Sequence, residues 1–167
     1  QTLDEYLTFA KGLSEEAPEH VDLAKLAEEI VAESTRAGAN VAIEETAPAT
    51  TPGRVRALKR CLANLVDNAV AHGDTVRLAI TNDDGAIGVC VDDNGPGIPE
   101  ELYEEAFRPF SRLDETRSRN QKGVGLGLAI ARDVARSHGG DIHLSRSPLG
   151  GLRAVLRSGF SAEHMAG

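Results

Sequence analysis

The chain has 167 residues, 41% of them apolar and 26% charged, and its 18 Lys and Arg against 26 Asp and Glu leave a formal net charge of -8. That length and balance exclude disorder and support one domain with a real hydrophobic core, while the acidic surplus excludes a nonspecific nucleic-acid binder, which needs a basic surface. No run approaches the roughly 18 apolar residues of a membrane span and no signal peptide opens the chain, so a soluble, cytoplasmic polypeptide is expected.

In chain order, residues 2–11 place Leu3, Tyr6, Leu7 and Ala10 at helical spacing, and Gly12 with the run 14–18 ends that segment. The chain is thus expected to open on the end of a longer helix, 1–12, followed by a linker, 13–19. Such a start points to a fragment of a longer protein, whose parent can still be membrane-bound. Asp22 caps a second helix whose Leu23, Leu26, Ala27, Ile30 and Val31 form one stripe, ending before Gly38. A short strand follows at 41–45, and the Thr-, Ala- and Pro-rich stretch 46–53 reads as a loop. Over 54–72, Val55, Leu58, Leu62, Leu65, Val66 and Ala69 recur three and four apart, predicting a long amphipathic helix with Gly73 as its C-terminal cap.

Strands at 75–81 and 86–91 form a hairpin across Asn82-Asp83-Asp84-Gly85. Helices are predicted over 99–107 and 126–138, the second closed by Gly139-Gly140. A last hairpin joins 141–146 to 152–157 across 147–151, before a tail at 161–167. Cys61 and Cys90 lie in apolar stretches as small core hydrophobes and suggest no disulfide framework. Helices alternate with hairpins, so the expected fold is α+β, with the main domain over 20–160. It is a two-layer sandwich, a mixed, mostly antiparallel sheet with helices packed on one face.

Chemistry concentrates at two glycine clusters and one polar stripe. Gly123, Gly125 and Gly127 precede an apolar helical pattern, where consecutive backbone N–H groups can turn toward one anion at a helix start. They suit a polyphosphate, but alone also fit a dinucleotide turn, a kinase loop or a simple turn. No strand directly precedes them, which disfavours the dinucleotide turn. The basic stretch Arg112, Arg117, Arg119 and Lys122 reads either as local charge for phosphates or as a solvated loop. Asn64, Asn68 and His72 fall at i, i+4 and i+8 on one helix, as hard amide ligands suited to Mg²⁺ or as surface amides. Asp93 opens the turn Asn94-Gly95-Pro96-Gly97, either as an acidic turn residue or as an acceptor for the exocyclic amine of adenine, which guanine replaces with an acceptor oxygen.

Together, Asn64-Leu-Val-Asp-Asn68-Ala, Asp93-Asn-Gly-Pro-Gly97-Ile, Phe107-Arg-Pro-Phe110 and Gly123-Val-Gly-Leu-Gly127-Leu resemble, in this order, the ATP-binding catalytic domain of sensor histidine kinases. That family shares the Bergerat fold with the gyrase, heat-shock chaperone and mismatch-repair ATPases. The resemblance covers residues 20–158, and residues 3–11 look like the end of the family's second dimerisation and phosphotransfer helix, most similar to the osmosensor type.

The resemblance implies ATP and Mg²⁺ as cofactors. It gives Asn68 the metal, with Asn64 assisting, and makes Asn64, Asn68 and Lys122 the catalytic set. Asp93 binds the adenine amine, Gly95, Gly97 and Ile98 pass beside the base, and His72 sits near the nucleotide. Gly123, Val124, Gly125, Leu126, Gly127 and Leu128 meet the phosphates. Phe107 and Phe110 anchor a lid over 111–122 whose Arg112 and Lys122 close on the nucleotide. Ala71 departs from the Lys or Arg that many members carry toward the phosphates, so that contact falls to Arg112, Arg117 or Lys122.

In hydrolysing relatives, and in serine-kinase relatives, a glutamate four residues before the metal asparagine is the general base; here that position is Asn64, whose amide accepts no proton at neutral pH. A histidine presented by another segment would suffice as nucleophile. None of His20, His72, His138, His143 or His164 has the His-Glu or His-Asp context of the family's acceptor, which is therefore expected outside this chain. The implied partners are the dimerisation and phosphotransfer domain of the same kinase and a response regulator receiver domain, with no nucleic acid. The full-length parent is expected to be a homodimer, with inner-membrane anchoring open. A nonhydrolytic ATP-sensing or docking module is the alternative, and an ATP-driven clamp is disfavoured by Asn64.

Overall fold

In the computed structural model, which describes residues 17–109 and 127–158, the chain runs β1 (Glu19–Asp22), α1 (Leu23–Arg36), β2 (Asn40–Glu45), β3 (Thr50–Gly53), α2 (Val55–His72), β4 (Thr75–Asp83) and β5 (Ala86–Asp93). A turn of 3₁₀ helix (Glu100–Leu102), α3 (Tyr103–Ala106), α4 (Gly127–Ser137), β6 (Asp141–Arg146) and β7 (Leu152–Arg157) complete it. The opening helix and the tail expected from sequence lie outside the described residues.

Period-two alternation decides which side of the sheet is buried. Val76, Leu78 and Ile80 of β4, Ile87, Val89 and Val91 of β5, and Ala154 and Leu156 of β7 are each at most 4% exposed. Between them, Arg77, Ala79, Thr81, Gly88, Cys90, Arg153 and Val155 are half-buried on the other face. The strand order is β2-β4-β5-β7-β6, parallel between β2 and β4 and antiparallel elsewhere. Over the apolar face, α2 packs on β4, β5 and β7, flanked by α1 and α4. This is the two-layer α+β sandwich, mostly antiparallel with helices on one face, that the sequence implies. No helix among the described residues is long and apolar enough to cross a membrane.

Local chemistry explains the element ends. Asp22 Oδ1 accepts the Lys25 N–H at 3.1 Å, the expected cap of α1. Asp84 and Gly85, with φ of 53° and 93°, form the two-residue turn between β4 and β5, matching the right-handed twist of the strands.

Three expectations about the elements and their ends change. The 46–53 loop contains β3, which pairs antiparallel with β1, Thr51 opposite Val21. Pro52 suggested a loop, but an exposed proline is compatible with the outer edge of a two-stranded sheet. The 99–107 helix is broken into a 3₁₀ turn and the short α3. Gly73 does follow α2, but in an extended conformation (φ -123°, ψ 160°) rather than as a left-handed cap. A Cβ there would stand 2.9 Å from Asn94 Oδ1 and 3.0 Å from Asp93 Cβ, so close approach is what requires glycine.

Arg54 heads α2 without a side-chain cap, and His138 takes that role from α4's far end. Its Nε2 accepts the Arg54 backbone N–H at 3.0 Å while Nδ1 donates to the Val134 carbonyl at 2.8 Å. Those fixed partners define the tautomer. His138→Ala is expected to lower stability by about 1–3 kcal/mol, because the half-buried Arg54 N–H loses its acceptor. The urea midpoint should fall with an unchanged slope.

Both cysteines are free thiols. Cys61 is buried in the core, where desolvation pushes its pKa up to about 12. Cys90 differs from expectation in lying half-buried on the outer sheet face; burial and the neighbouring Asp92 carboxylate push it up to about 11. Neither has thiolate character at neutral pH.

Candidate functional site

The alternation that buries Ile87, Val89 and Val91 also carries Asp93 to the apolar face, where it is 1% exposed. A carboxyl group so placed needs hydrogen-bond donors. Asp93 Oδ1 accepts the Gly95 N–H at 2.9 Å and the Leu152 N–H at 3.2 Å. Its neighbour Asp92 faces the other side and forms a two-pronged ion pair with Arg153, at 2.8 and 2.9 Å. Adjacent aspartates are thus divided by the strand's pleat into an outward structural pair and an inward, amide-held acceptor.

The turn after Asp93 is pressed against the end of α2. Asn94 Oδ1 accepts the N–H groups of Asp74 and Thr75 at 2.8 and 3.0 Å, stapling the turn to the start of β4. A Cβ on Gly95 would lie 2.4 Å from the His72 carbonyl oxygen, so only glycine lets the chain pass. Gly97 has a φ of 72°, in the left-handed region that favours glycine. Ile98 is half-buried against the core.

His72 closes α2 with its ring buried, 1% exposed, and its Nε2 lies 3.2 Å from Asn68 Oδ1. The i, i+4 spacing of the stripe is therefore a real contact. One turn earlier, Asn64 Nδ2 is buried without a hydrogen-bond partner among the described residues. Gly127, at the head of α4, lies beside it: a Cβ there would be 3.9 Å from the Asn64 carbonyl oxygen. Leu128, the next residue, is buried in the core.

The structure thus gathers Asn64, Asn68, His72, Asp93, Gly95 and Gly127 around one side of α2. Phe110, Arg112, Lys122, Gly123, Val124, Gly125 and Leu126 lie outside the described residues. Among the described residues, no group of three His, Cys, Asp or Glu side chains is placed to hold a metal. The half-buried Asn68 amide oxygen is a hard neutral donor of the kind Mg²⁺ accepts alongside phosphate and water oxygens, and the Asn64 amide N–H₂, without a partner among the described residues, is a donor of the kind a phosphate oxygen accepts. The residues present fit a magnesium–nucleotide pair.

Phe107 follows α3, 8% exposed, with the Arg132 guanidinium 4.2 Å over its ring. Arg132 also donates to Glu104 Oε2 at 2.9 Å and to Asp141 Oδ1 at 3.2 Å, so α4 is fastened to the residues just before position 110. Hydrogen bonding and charge from Arg132 hold the Glu104 carboxyl below its ordinary range. For Asp141, burial pushes upward, but hydrogen bonds from Arg136 and the Ile142 N–H, with Arg132 nearby, bring it below its ordinary value. Depressed carboxylates add stability above their unfolded pKa and lose it as pH falls through the folded one. The stability gap between wild type and Arg132→Met is therefore expected to narrow from pH 6 to about pH 3, read as urea midpoints, with Asp141 contributing more than the solvent-screened Glu104.

Sequence reasoning missed Gly151 and Leu152, whose amides reach Asp93 from across the sheet. It also missed Arg132 and the capping role of His138. The one available signal was the doubled glycine at 150–151, since one left-handed residue suffices for that turn.

A family model described as histidine kinase-, DNA gyrase B-, and HSP90-like ATPase matches residues 53–160. The sensor histidine kinase GtrS of Pseudomonas aeruginosa is 40% identical over 163 residues, which is 93% of this chain and 33% of GtrS. The sensor histidine kinase CpxA of Escherichia coli is 43% identical over 105 residues, 62% of this chain and 23% of CpxA. The chain therefore spans a third or less of these relatives. The crystal structure of the ATP binding domain of PrrB from Mycobacterium tuberculosis superposes with a TM-score of 0.72 at 28% identity, covering 86% of this chain and 97% of that one.

Proposed function

This chain belongs to the histidine kinase-, DNA gyrase B-, and HSP90-like ATPases, and on that premise we propose that it is the catalytic unit of a sensor kinase, binding ATP and passing the γ-phosphoryl group to a histidine on a separate dimerisation and phosphotransfer segment. The observation that carries the reading is the buried Asp93 carboxyl, its plane set by the Gly95 and Leu152 amides beside the Asn68–His72 pair. An acceptor in that position takes the N6 amine of adenine and opposes the O6 of guanine. Asn64 and the glycine run 123–127 serve the phosphates, with Arg112 and Lys122 supplying positive charge. Asn68, assisted by Asn64, would hold Mg²⁺, which when bound neutralises charge on the phosphate oxygens.

No protein base is required. A neutral imidazole nitrogen forms the new N–P bond as the bond to the β,γ-bridging oxygen breaks, and ADP leaves, so positioning supplies most of the catalysis. The amide of Asn64 cannot take a proton from water, which keeps ATP from being spent on hydrolysis. In this reading the phosphohistidine hands its phosphate to an aspartate of a response regulator receiver domain. The parent kinase is a homodimer with this unit on the cytoplasmic side.

The test is to mix the chain with a fragment carrying the dimerisation helices, magnesium and γ-labelled ATP. Acid-labile, base-stable label on the fragment is expected, with slow release of free phosphate by the chain alone. Saturable ATP binding with no label transferred would instead favour a nucleotide-sensing module.

A further inference from the structure

We propose that Gly151 and the Leu152 amide position the Asp93 carboxyl, so that the β6–β7 turn, remote in sequence, sets the preference for adenine over guanine; the inference rests on the ATP-binding reading above. Backbone donors from two turns meet at Asp93. The Gly95 and Leu152 N–H groups share Oδ1, and the Gly151 N–H bonds the Asp93 carbonyl at 3.1 Å.

Gly151 is packed against that arrangement without space for a side chain. A Cβ there would stand 2.2 Å from Asp93 Oδ1 and 2.6 Å from both the Asp93 carbonyl oxygen and the Gly95 nitrogen. Two of those atoms are backbone, and the third is held by hydrogen bonds, so none yields cheaply. From the other side, a Cβ on Gly97 would sit 3.5 Å from the Gly151 carbonyl. The turn carrying Gly151 is itself fixed, the buried Ser147 donating its N–H to the Gly151 carbonyl at 2.9 Å and accepting the Leu149 N–H on Oγ at 3.0 Å.

Gly150 provides the contrast. Its φ is 105°, and nothing lies within 4 Å of a Cβ built on it. An alanine at 150 strains the turn, whereas an alanine at 151 displaces the carboxyl. A displaced acceptor costs ATP its N6 contact and costs GTP nothing, so discrimination narrows.

The experiment titrates ATP and GTP, with magnesium, into wild type, Gly151→Ala and Gly150→Ala, and follows amide hydrogen exchange at Gly95 and Leu152 without nucleotide. Wild type should prefer ATP by about 100-fold or more. Gly151→Ala should narrow that ratio by about tenfold and speed exchange at both amides by a similar factor, while Gly150→Ala keeps the wild-type ratio. A Gly151→Ala protein with the wild-type ratio and wild-type exchange overturns the proposal. Wild type binding neither nucleotide would sink the ATP reading, and the exchange comparison would still decide whether the turn holds Asp93. Should Gly151→Ala fail to fold, wild-type exchange decides: protected Gly95 and Leu152 amides support the clamp, and exchange at the free-peptide rate overturns it.

Discussion

Asp93→Asn is expected to cut ATP affinity by about 100-fold or more, roughly 3 kcal/mol, while leaving the fold nearly intact. The Gly95 and Leu152 N–H groups both require an acceptor at Oδ1. An asparagine therefore places its one oxygen there and turns its NH₂ to the other position. That donor would then oppose the N6 amine of adenine, another donor, at a position only 1% exposed. A charge-assisted hydrogen bond is replaced by a mismatch, not merely lost. Asp93→Ala is a poorer probe, because it strips the acceptor from two backbone donors and mixes a folding defect with a binding one. Calorimetric titration with ATP beside a urea curve separates the two effects. Affinity within threefold of wild type would falsify the assignment of Asp93 to the base.

Asn68→Ala is expected to lower label transfer to the phosphotransfer fragment by about 1,000-fold, since several kcal/mol of charge stabilisation on the phosphoryl oxygens is lost with the metal. ATP affinity measured without magnesium should change little. The substitution also removes the 3.2 Å partner of the buried His72 Nε2, so a stability loss of about 1–2 kcal/mol is expected from the same change. Asn68→Asp keeps an oxygen at that position and should retain more of the magnesium response than alanine does. Magnesium-dependent transfer in Asn68→Ala within tenfold of wild type would remove Asn68 from the metal-binding role.

The parts of this structure that were legible beforehand are those written in local pattern. The stripe on α2, the Asp22 cap and the Asp84-Gly85 turn each involve residues a few positions apart, where periodicity and turn chemistry act directly. Asp93 stands out only in company, because an acidic residue in a glycine turn after a strand is common and gains meaning beside the asparagine and glycine boxes. Its burial follows from the alternation of β5 once that strand is seen to reach residue 93. What escaped was non-local. β1 and β3 are four residues each and pair across the whole of α1, so neither carries enough alternation to announce itself. Gly73 reads as a helix cap and Gly151 as part of a turn, but what they accommodate is another segment's atoms, which no local pattern records. The amide and glycine motifs of the site were readable, whereas the Leu152 amide that helps hold Asp93 is a backbone group and has no signature of its own.

The distance along the chain between Asp93 and Leu152 also orders the birth of this protein. Strand β5 leaves the ribosome well before β7, which pairs with it through Cys90 opposite Val155 and Val91 opposite Ala154. Until then β5 presents an open edge of the kind that recruits foreign strands, and its inward carboxyl lacks the second amide. Docking of the β6–β7 hairpin covers the edge and brings the Leu152 amide to Asp93 in one event. A nucleotide held by Asp93 would bind only after that docking and would favour the docked hairpin by mass action.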